Sequence, residues 1–175
     1  LIVGNAINEV QFLCEQKDIK IINEIDNTVA TKVEEEVIER VLVNLLTNAI
    51  KYTPSGGTIT LSNEKISENK IRIAVTDTGE GIAEDKHHLV FQKFGQIVAR
   101  KSGTVKSTGL GLTFCKMAIE AHGGEIGLTS EVGKGTTFWF TLEIGNSENI
   151  VIERLEVKEE TKAEEKIIFN VEEKK

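Results

Sequence analysis

Glu35-Glu36-Val37-Ile38-Glu39-Arg40-Val41-Leu42-Val43-Asn44-Leu45-Leu46-Thr47-Asn48-Ala49-Ile50-Lys51-Tyr52 is the stretch whose reading decides the fold. Val37, Ile38, Val41, Leu42, Leu45, Leu46, Ala49 and Ile50 recur at the helical period, which predicts an amphipathic helix over residues 35–52. Pro54 and Gly56-Gly57 end it. On the face away from the apolar residues, Asn44, Asn48 and Lys51 stand at i, i+4 and i+7, within an arc of about 60°. Two amides and an ammonium aligned in this way can offer an oxygen to a metal ion and donors to phosphate oxygens. Read alone, the same stripe is more simply an exposed helix surface, because Asn is a poor helix former but common on surfaces.

Outward from this helix the pattern alternates. Ile2, Ala6, Ile7, Val10, Leu13 and Cys14 predict an earlier helix, and residues 19–25 a strand after it. Downstream, residues 58–63 and 71–76 read as a hairpin joined by a polar turn at 64–70. A short helical segment at 84–90 leads into Phe91-Gln92-Lys93-Phe94, and residues 95–108 then lack hydrophobic periodicity, as a long functional or disordered loop does. Residues 110–121 predict a third helix, stopped by His122-Gly123-Gly124, and residues 125–130 and 136–144 a second hairpin. The expected fold is α+β: a two-layer α/β sandwich whose mixed, mostly antiparallel sheet carries its helices on one face.

Two more polar clusters fall at element ends. Asp77-Thr78-Gly79-Glu80-Gly81 directly follows a predicted strand. A carboxylate there can accept from an exocyclic amine while the glycines let the backbone pass close to a flat ring; the plain alternative is an Asp-x-Gly turn. Ser107-Thr108-Gly109-Leu110-Gly111-Leu112 opens the third helix, where free N–H groups and the positive dipole end favour phosphate. A lone Gly-x-Gly is a weak signal.

Composition bounds the rest. A chain of 175 residues accommodates one core and an appended tail, and 39% hydrophobic with 28% charged residues is the balance of a globular protein. The net charge of −7 argues against nucleic acid or an anionic membrane as the main partner. Cys14 and Cys115 both sit in apolar helical patterns, so neither a disulfide framework nor a cysteine zinc site is expected and a reducing cytoplasm fits. No apolar run approaches the roughly 20 residues of a membrane span. The absent initiator Met suggests a fragment whose parent can carry its own anchor. Residues 1–145 are expected to be the folded domain and residues 146–175, rich in Glu and Lys, a charged linker or tail. Gly133-Lys134-Gly135-Thr136 lacks the full phosphate-loop pattern and reads as a hairpin turn. His87, His88 and His122 have no metal spacing, His122 reads as structural, and Trp139 reads as a packing residue.

In their order, these clusters resemble the catalytic, ATP-binding domain of sensor histidine kinases, within the GHKL class of ATP-binding folds shared with gyrase, MutL and the heat-shock chaperone ATPases. Residues 44–53 resemble the N box, Asp77 to Gly81 the first glycine box, Phe91 to Phe94 the F box, and Thr108 to Leu112 the second glycine box. The resemblance implies Mg-ATP as ligand and a role for each residue. Asn48 would hold Mg²⁺, with Asn44 nearby, and Lys51 would touch a phosphate; Asn44 and Lys51 are the candidate catalytic residues. Tyr52 would flank the base, and Asp77 would read its amine. Gly79, Gly81 and Ile82 would line the pocket, and Thr108, Gly109, Leu110, Gly111 and Leu112 would admit the triphosphate. Residues 95–108 would form an ATP lid in which Arg100, Lys101 or Lys106 meets the γ-phosphate.

Related ATPases carry a water-activating Glu where this chain has Asn44, a poor base, so transfer to a protein acceptor is favoured over hydrolysis. None of the histidines has the phosphoacceptor setting of the family. The implied partners are therefore a histidine-bearing dimerisation domain of the same parent protein and a downstream response regulator in two-component signalling. The alternatives are a GHKL ATPase, disfavoured by Asn44, and a nucleotide-binding pseudokinase module, disfavoured by the presence of Asn48 and Asp77.

Overall fold

A computed structural model describes residues 2–26, 31, 33–92 and 110–145 of the chain. Their elements, in chain order, are α1 (Ile2–Lys17), β1 (Lys20–Glu24), α2 (Glu35–Tyr52), β2 (Thr58–Ser67), β3 (Lys70–Asp77), a 3-10 segment (Glu84–Leu89), α3 (Gly111–Ala121), β4 (Ile126–Glu131) and β5 (Gly135–Glu143). The sheet runs β1-β2-β3-β5-β4. β1 is parallel to β2, and every other pairing is antiparallel, as expected of a mixed sheet.

The register explains why the helices cover one face. Leu61, Val75, Phe138 and Leu128 lie in one row across four strands, and Ile73, Phe140 and Ile126 in the next. Because side chains alternate along a strand, this apolar set shares one side. Against it pack Ile38, Val41, Leu42, Leu45, Leu46 and Ala49 of α2 and Cys115 and Ile119 of α3, each at most 3% exposed. Ala6, Val10 and Cys14 of α1 join the same core. Fully burying a side chain of Leu size stabilises by about 1.5–3 kcal/mol, so α2, with its continuous apolar face, is the element the core is built on. The other face carries Thr60, Thr76, Thr137 and Thr129 in one row and Arg72 stacked 4.9 Å over Trp139.

Two helix ends fix where the polar residues fall. α1 stops at Lys17; Asp18 takes a left-handed φ of 54°, and the Ile19 N–H bonds back to the Cys14 carbonyl. The Lys17 ammonium then donates to the Ile50 and Lys51 carbonyls at 2.7 and 2.9 Å, tying the end of α1 to the end of α2. α2 ends where expected, at Tyr52. The buried Thr53 hydroxyl returns to the Ala49 carbonyl at 2.7 Å, and Pro54 holds Thr53 extended.

Three elements differ from the sequence expectation. The first hairpin is longer than read: β2 continues to Ser67 and β3 begins at Lys70, so the turn is Glu68-Asn69 rather than residues 64–70. Polar residues hide a strand that has left the core, and here the Glu64–Arg72 ion pair at 2.9 Å and a bulge between Lys65 and Ser67 mark that extension. The segment at 84–90 is a 3-10 helix, Glu84–Leu89, with no buried residue of its own. The third helix and second hairpin lie within a residue of the expected bounds. The expected lid at 95–108 and the tail at 146–175 lie outside the described residues.

Candidate functional site

Asp77 is the last residue of β3, on the core-facing side, and is 4% exposed. Its Oδ1 accepts the backbone N–H of Gly79 at 2.8 Å and that of Thr136 at 3.3 Å. Burial pushes the carboxyl above its ordinary range, against the pull of those two N–H groups in the other direction. Two donors use about half of the lone-pair sites of a carboxylate, which leaves Asp77 oriented and still able to accept.

The loop after Asp77 is pressed against its neighbours on both sides. A Cβ on Gly79 would stand 2.6 Å from both Asp77 Oδ1 and the Tyr52 carbonyl, so glycine here lets the end of α2 touch the carboxylate loop. Gly81, with φ 72°, takes the left-handed conformation, and a Cβ there would run into the Glu131 carbonyl. Across the same contact, Gly133 N–H bonds the Glu80 carbonyl at 2.8 Å, and Ile82 N–H bonds the Ser130 hydroxyl at 2.8 Å. The β4–β5 turn therefore braces the Asp77 loop at several points.

The second half of the site lies along α2. Asn44 and Asn48 are half-buried and Lys51 is exposed, as their shared stripe requires. Lys51 holds its ammonium 5.0 Å from the centroid of the Tyr52 ring, which is 38% exposed. Asn44 Nδ2 donates to the Arg40 carbonyl at 2.8 Å, so its amide oxygen points the other way. That oxygen stands 2.8 Å from where a Cβ on Gly111 would be. Bare Gly111 thus lets the first turn of α3 close on the amide stripe.

α2 consequently spans the site. Its Asn44 turn meets the N-terminus of α3, and its Tyr52 end meets the Asp77 loop, about 12 Å further along the axis at 1.5 Å per residue. Of the other residues singled out from sequence, Ile82 and Leu112 pack partly buried against the core, and Leu110 precedes α3 at 46% exposure. Phe91 meets Phe138 edge to face, with centroids 6.2 Å apart. Arg100, Lys101, Lys106, Thr108 and Gly109, with Lys93 and Phe94, lie outside the described residues. Among the described residues no three His, Cys, Asp or Glu side chains are grouped to hold a metal ion, and no helix is long and apolar enough to cross a membrane.

Sequence reading missed Ser130 and Thr136. Both are ordinary strand residues, and their partners lie 48 and 59 positions away. The one available signal was Gly135-Thr136 opening a strand, which the hairpin reading absorbed.

Comparison with known proteins gives a consistent set of relatives. The profile of the family described as histidine kinase-, DNA gyrase B-, and HSP90-like ATPase matches residues 33–146. The adaptive-response sensory kinase SasA of Rippkaea orientalis is 35% identical over 141 residues, covering 80% of this chain and 36% of that protein. The sensor histidine kinase AruS of Pseudomonas aeruginosa is 39% identical over 117 residues, covering 63% of this chain and 11% of that protein. The chain thus spans about a third or less of the length of these relatives. Among solved structures, full-length ShkA in complex with AMPPNP superposes with a TM-score of 0.73 at 26% identity, over 83% of this chain and 30% of that one. The catalytic domain of the histidine kinase ThkA, nucleotide free, gives 0.68 at 28% identity, over 81% of this chain and 91% of that one.

Proposed function

The chain belongs to the family of histidine kinase-, DNA gyrase B- and HSP90-like ATPases, and from that premise we propose that it binds Mg-ATP and transfers the γ-phosphoryl group to a histidine on a dimerisation domain outside this chain. The observation that carries the nucleotide half is Asp77: a buried carboxylate held by two backbone N–H groups at a strand end. It is built to accept from a ligand amine, as on adenine, with Tyr52 beside it to flank the ring.

The phosphates then extend along α2 toward α3. Asn44, Asn48 and Lys51 supply an oxygen and donors along that line, and the first turn of α3 brings free backbone N–H groups to it. Mg²⁺ fits this donor set, since it is commonly held by one or two protein oxygens together with phosphates and water. Asn48 would supply its protein oxygen, with the Asn44 oxygen close by. When bound, the ion neutralises charge on the transferring phosphate.

Asn44 separates transfer from hydrolysis. Its Nδ2 is committed to the Arg40 carbonyl and its oxygen is an amide's, so neither end can take a proton from water. The nucleophile must come from elsewhere. A neutral imidazole nitrogen of the acceptor histidine attacks the γ-phosphorus, the bond to the β–γ bridging oxygen breaks, and ADP leaves. Residues 1–145 serve as this catalytic unit, and a response regulator receives the phosphoryl group afterwards. By the family resemblance, Arg100, Lys101 or Lys106 would meet the γ-phosphate, and Thr108 and Gly109 would admit the triphosphate.

The test is incubation with γ-labelled ATP, with and without the parent's histidine-bearing helical hairpin. Acid-labile label on the hairpin alone is the expected result. Label on His87, His88 or His122 would overturn the division of labour, and rapid hydrolysis without acceptor would favour the ATPase reading.

A further inference from the structure

The Ser130 hydroxyl is placed where two parts of the base site meet, and its valences can be counted. It lies on β4, in register with Thr136 and on the same side of the sheet. Its oxygen accepts the Ile82 N–H at 2.8 Å, stands 2.9 Å from the Gly135 carbonyl oxygen and 2.8 Å from the Thr136 hydroxyl. A serine hydroxyl has one proton and two lone pairs. A carbonyl can only accept, so the Ser130 proton goes to Gly135. Ile82 takes one lone pair, and the Thr136 hydroxyl must then donate to the other.

That assignment settles what Thr136 has left. Its hydroxyl proton is committed to Ser130 and its backbone N–H to Asp77, so toward a ligand its side chain can only accept. Asp77 beside it is also an acceptor. Two acceptors together favour an amino group, as on carbon 6 of adenine, and repel a carbonyl oxygen, as on carbon 6 of guanine.

We infer that Ser130 is a positioning residue for base selection: its hydroxyl fixes the loop through Ile82 and turns Thr136 into an acceptor, so that the pocket discriminates amino from oxo purines. The inference rests on the reading of the site as one for ATP. The hydroxyl acts through Ile82 and Thr136, and removing it leaves the Ile82 N–H and the Gly135 carbonyl without this partner and frees the Thr136 rotor.

The experiment compares the unaltered chain with Ser130→Ala, Ser130→Val and Ser130→Thr by calorimetric titration with Mg-ATP and, separately, Mg-GTP. Ala and Val should weaken ATP about tenfold, the scale of one lost hydrogen-bond partner, and should narrow the ATP-to-GTP preference. Thr, which matches Val in shape but keeps the hydroxyl, should retain both. Hydrogen exchange on the unaltered, nucleotide-free chain should find the Ile82 amide already protected. An unchanged ATP-to-GTP ratio in Ala and Val overturns the inference, and so does a freely exchanging Ile82 amide, which decides the matter even if the variants fail to fold. Absence of ATP binding by the unaltered chain would instead overturn the nucleotide reading itself, while Ile82 protection would still report on the Ser130 contacts.

Discussion

The two ends of the site are built differently. At the Asp77 end almost every contact is made by backbone: Gly79 and Thr136 N–H groups on the carboxylate, Gly133 on Glu80, Ile82 on Ser130, and Gly81 against the Glu131 carbonyl. At the Asn44 end the groups are half-buried or exposed side chains on one helix face, brought near α3 by a bare glycine. The first end is fixed before any ligand arrives. The second depends on helix geometry and on side chains, Asn44 turned by its bond to the Arg40 carbonyl and Lys51 lying over Tyr52. A rigid ring can be met by a rigid pocket, whereas a phosphoryl group that must leave needs partners able to follow it.

The largest effect should come from the side-chain end. Asn48→Ala is expected to lower phosphoryl transfer to an added histidine hairpin by about a hundredfold or more, because on the proposed reading it removes a ligand to the phosphate-bound ion where transfer depends on charge stabilisation. ADP binding measured without Mg²⁺ should change little. Equal losses in both measurements would place Asn48 at the base instead and erase the distinction between the ends. Next in size, Asp77→Asn should weaken ATP about ten- to a hundredfold, since a bond to a charged acceptor contributes about 1.5–3 kcal/mol. The loss should be similar for ADP and ATP. Unchanged calorimetric affinity would remove Asp77 from the ligand.

The comparison was unevenly legible in the sequence. α2 could be read to its last residue because eight apolar positions kept one period and Pro54 closed it. Asp77 could be placed at a strand end because the alternation of Ile71, Ile73 and Val75 stops just before it, while its reading as a ligand group rested on the order of the clusters, since Asp-x-Gly is also a plain turn. The brace around it was not legible. Ser130 and Thr136 are unremarkable in a strand, and what makes them matter is a register between β4 and β5 and a loop 48 residues upstream of Ser130. Backbone contacts carry no residue signature, so the end built of backbone hides most of its construction. The side-chain end, by contrast, displayed Asn44, Asn48 and Lys51 openly.

Paired glycine substitutions test the contrast through stability. Gly81→Ala places a Cβ at positive φ, which costs about 1–2 kcal/mol, and drives it into the Glu131 carbonyl, a backbone obstacle that cannot swing away. Gly111→Ala meets only the Asn44 side-chain oxygen, and gains about 0.4–1 kcal/mol by restricting the unfolded chain. Urea unfolding should therefore show Gly81→Ala destabilised by more than about 2 kcal/mol and Gly111→Ala within about 1 kcal/mol of the unaltered chain. The reverse order would mean that the phosphate end is the rigid one.

The smallest effect is a pH dependence confined to the fixed end. Burial raises the Asp77 carboxyl above the ordinary value of 3.8, the two N–H bonds notwithstanding. For stability the sign follows directly: the folded chain holds this proton more tightly than the unfolded chain. The group's contribution therefore falls as pH rises from 3.8 through the raised value, and is constant above it. On the proposed reading nucleotide binding runs the other way, because the amine of the base needs the ionised acceptor, so affinity should decline as pH falls and begin to do so earlier than for an exposed Asp. The nucleotide's own phosphates titrate too. Their share cancels when the unaltered chain is compared with Asp77→Asn, which has the same phosphate site and no titrating carboxyl. The ratio of the two ADP affinities, measured by calorimetry from neutral pH downward, should shrink toward one as Asp77 takes its proton. A ratio that stays constant down to 3.8 would mean that the carboxylate is not held in the buried setting the structure gives it.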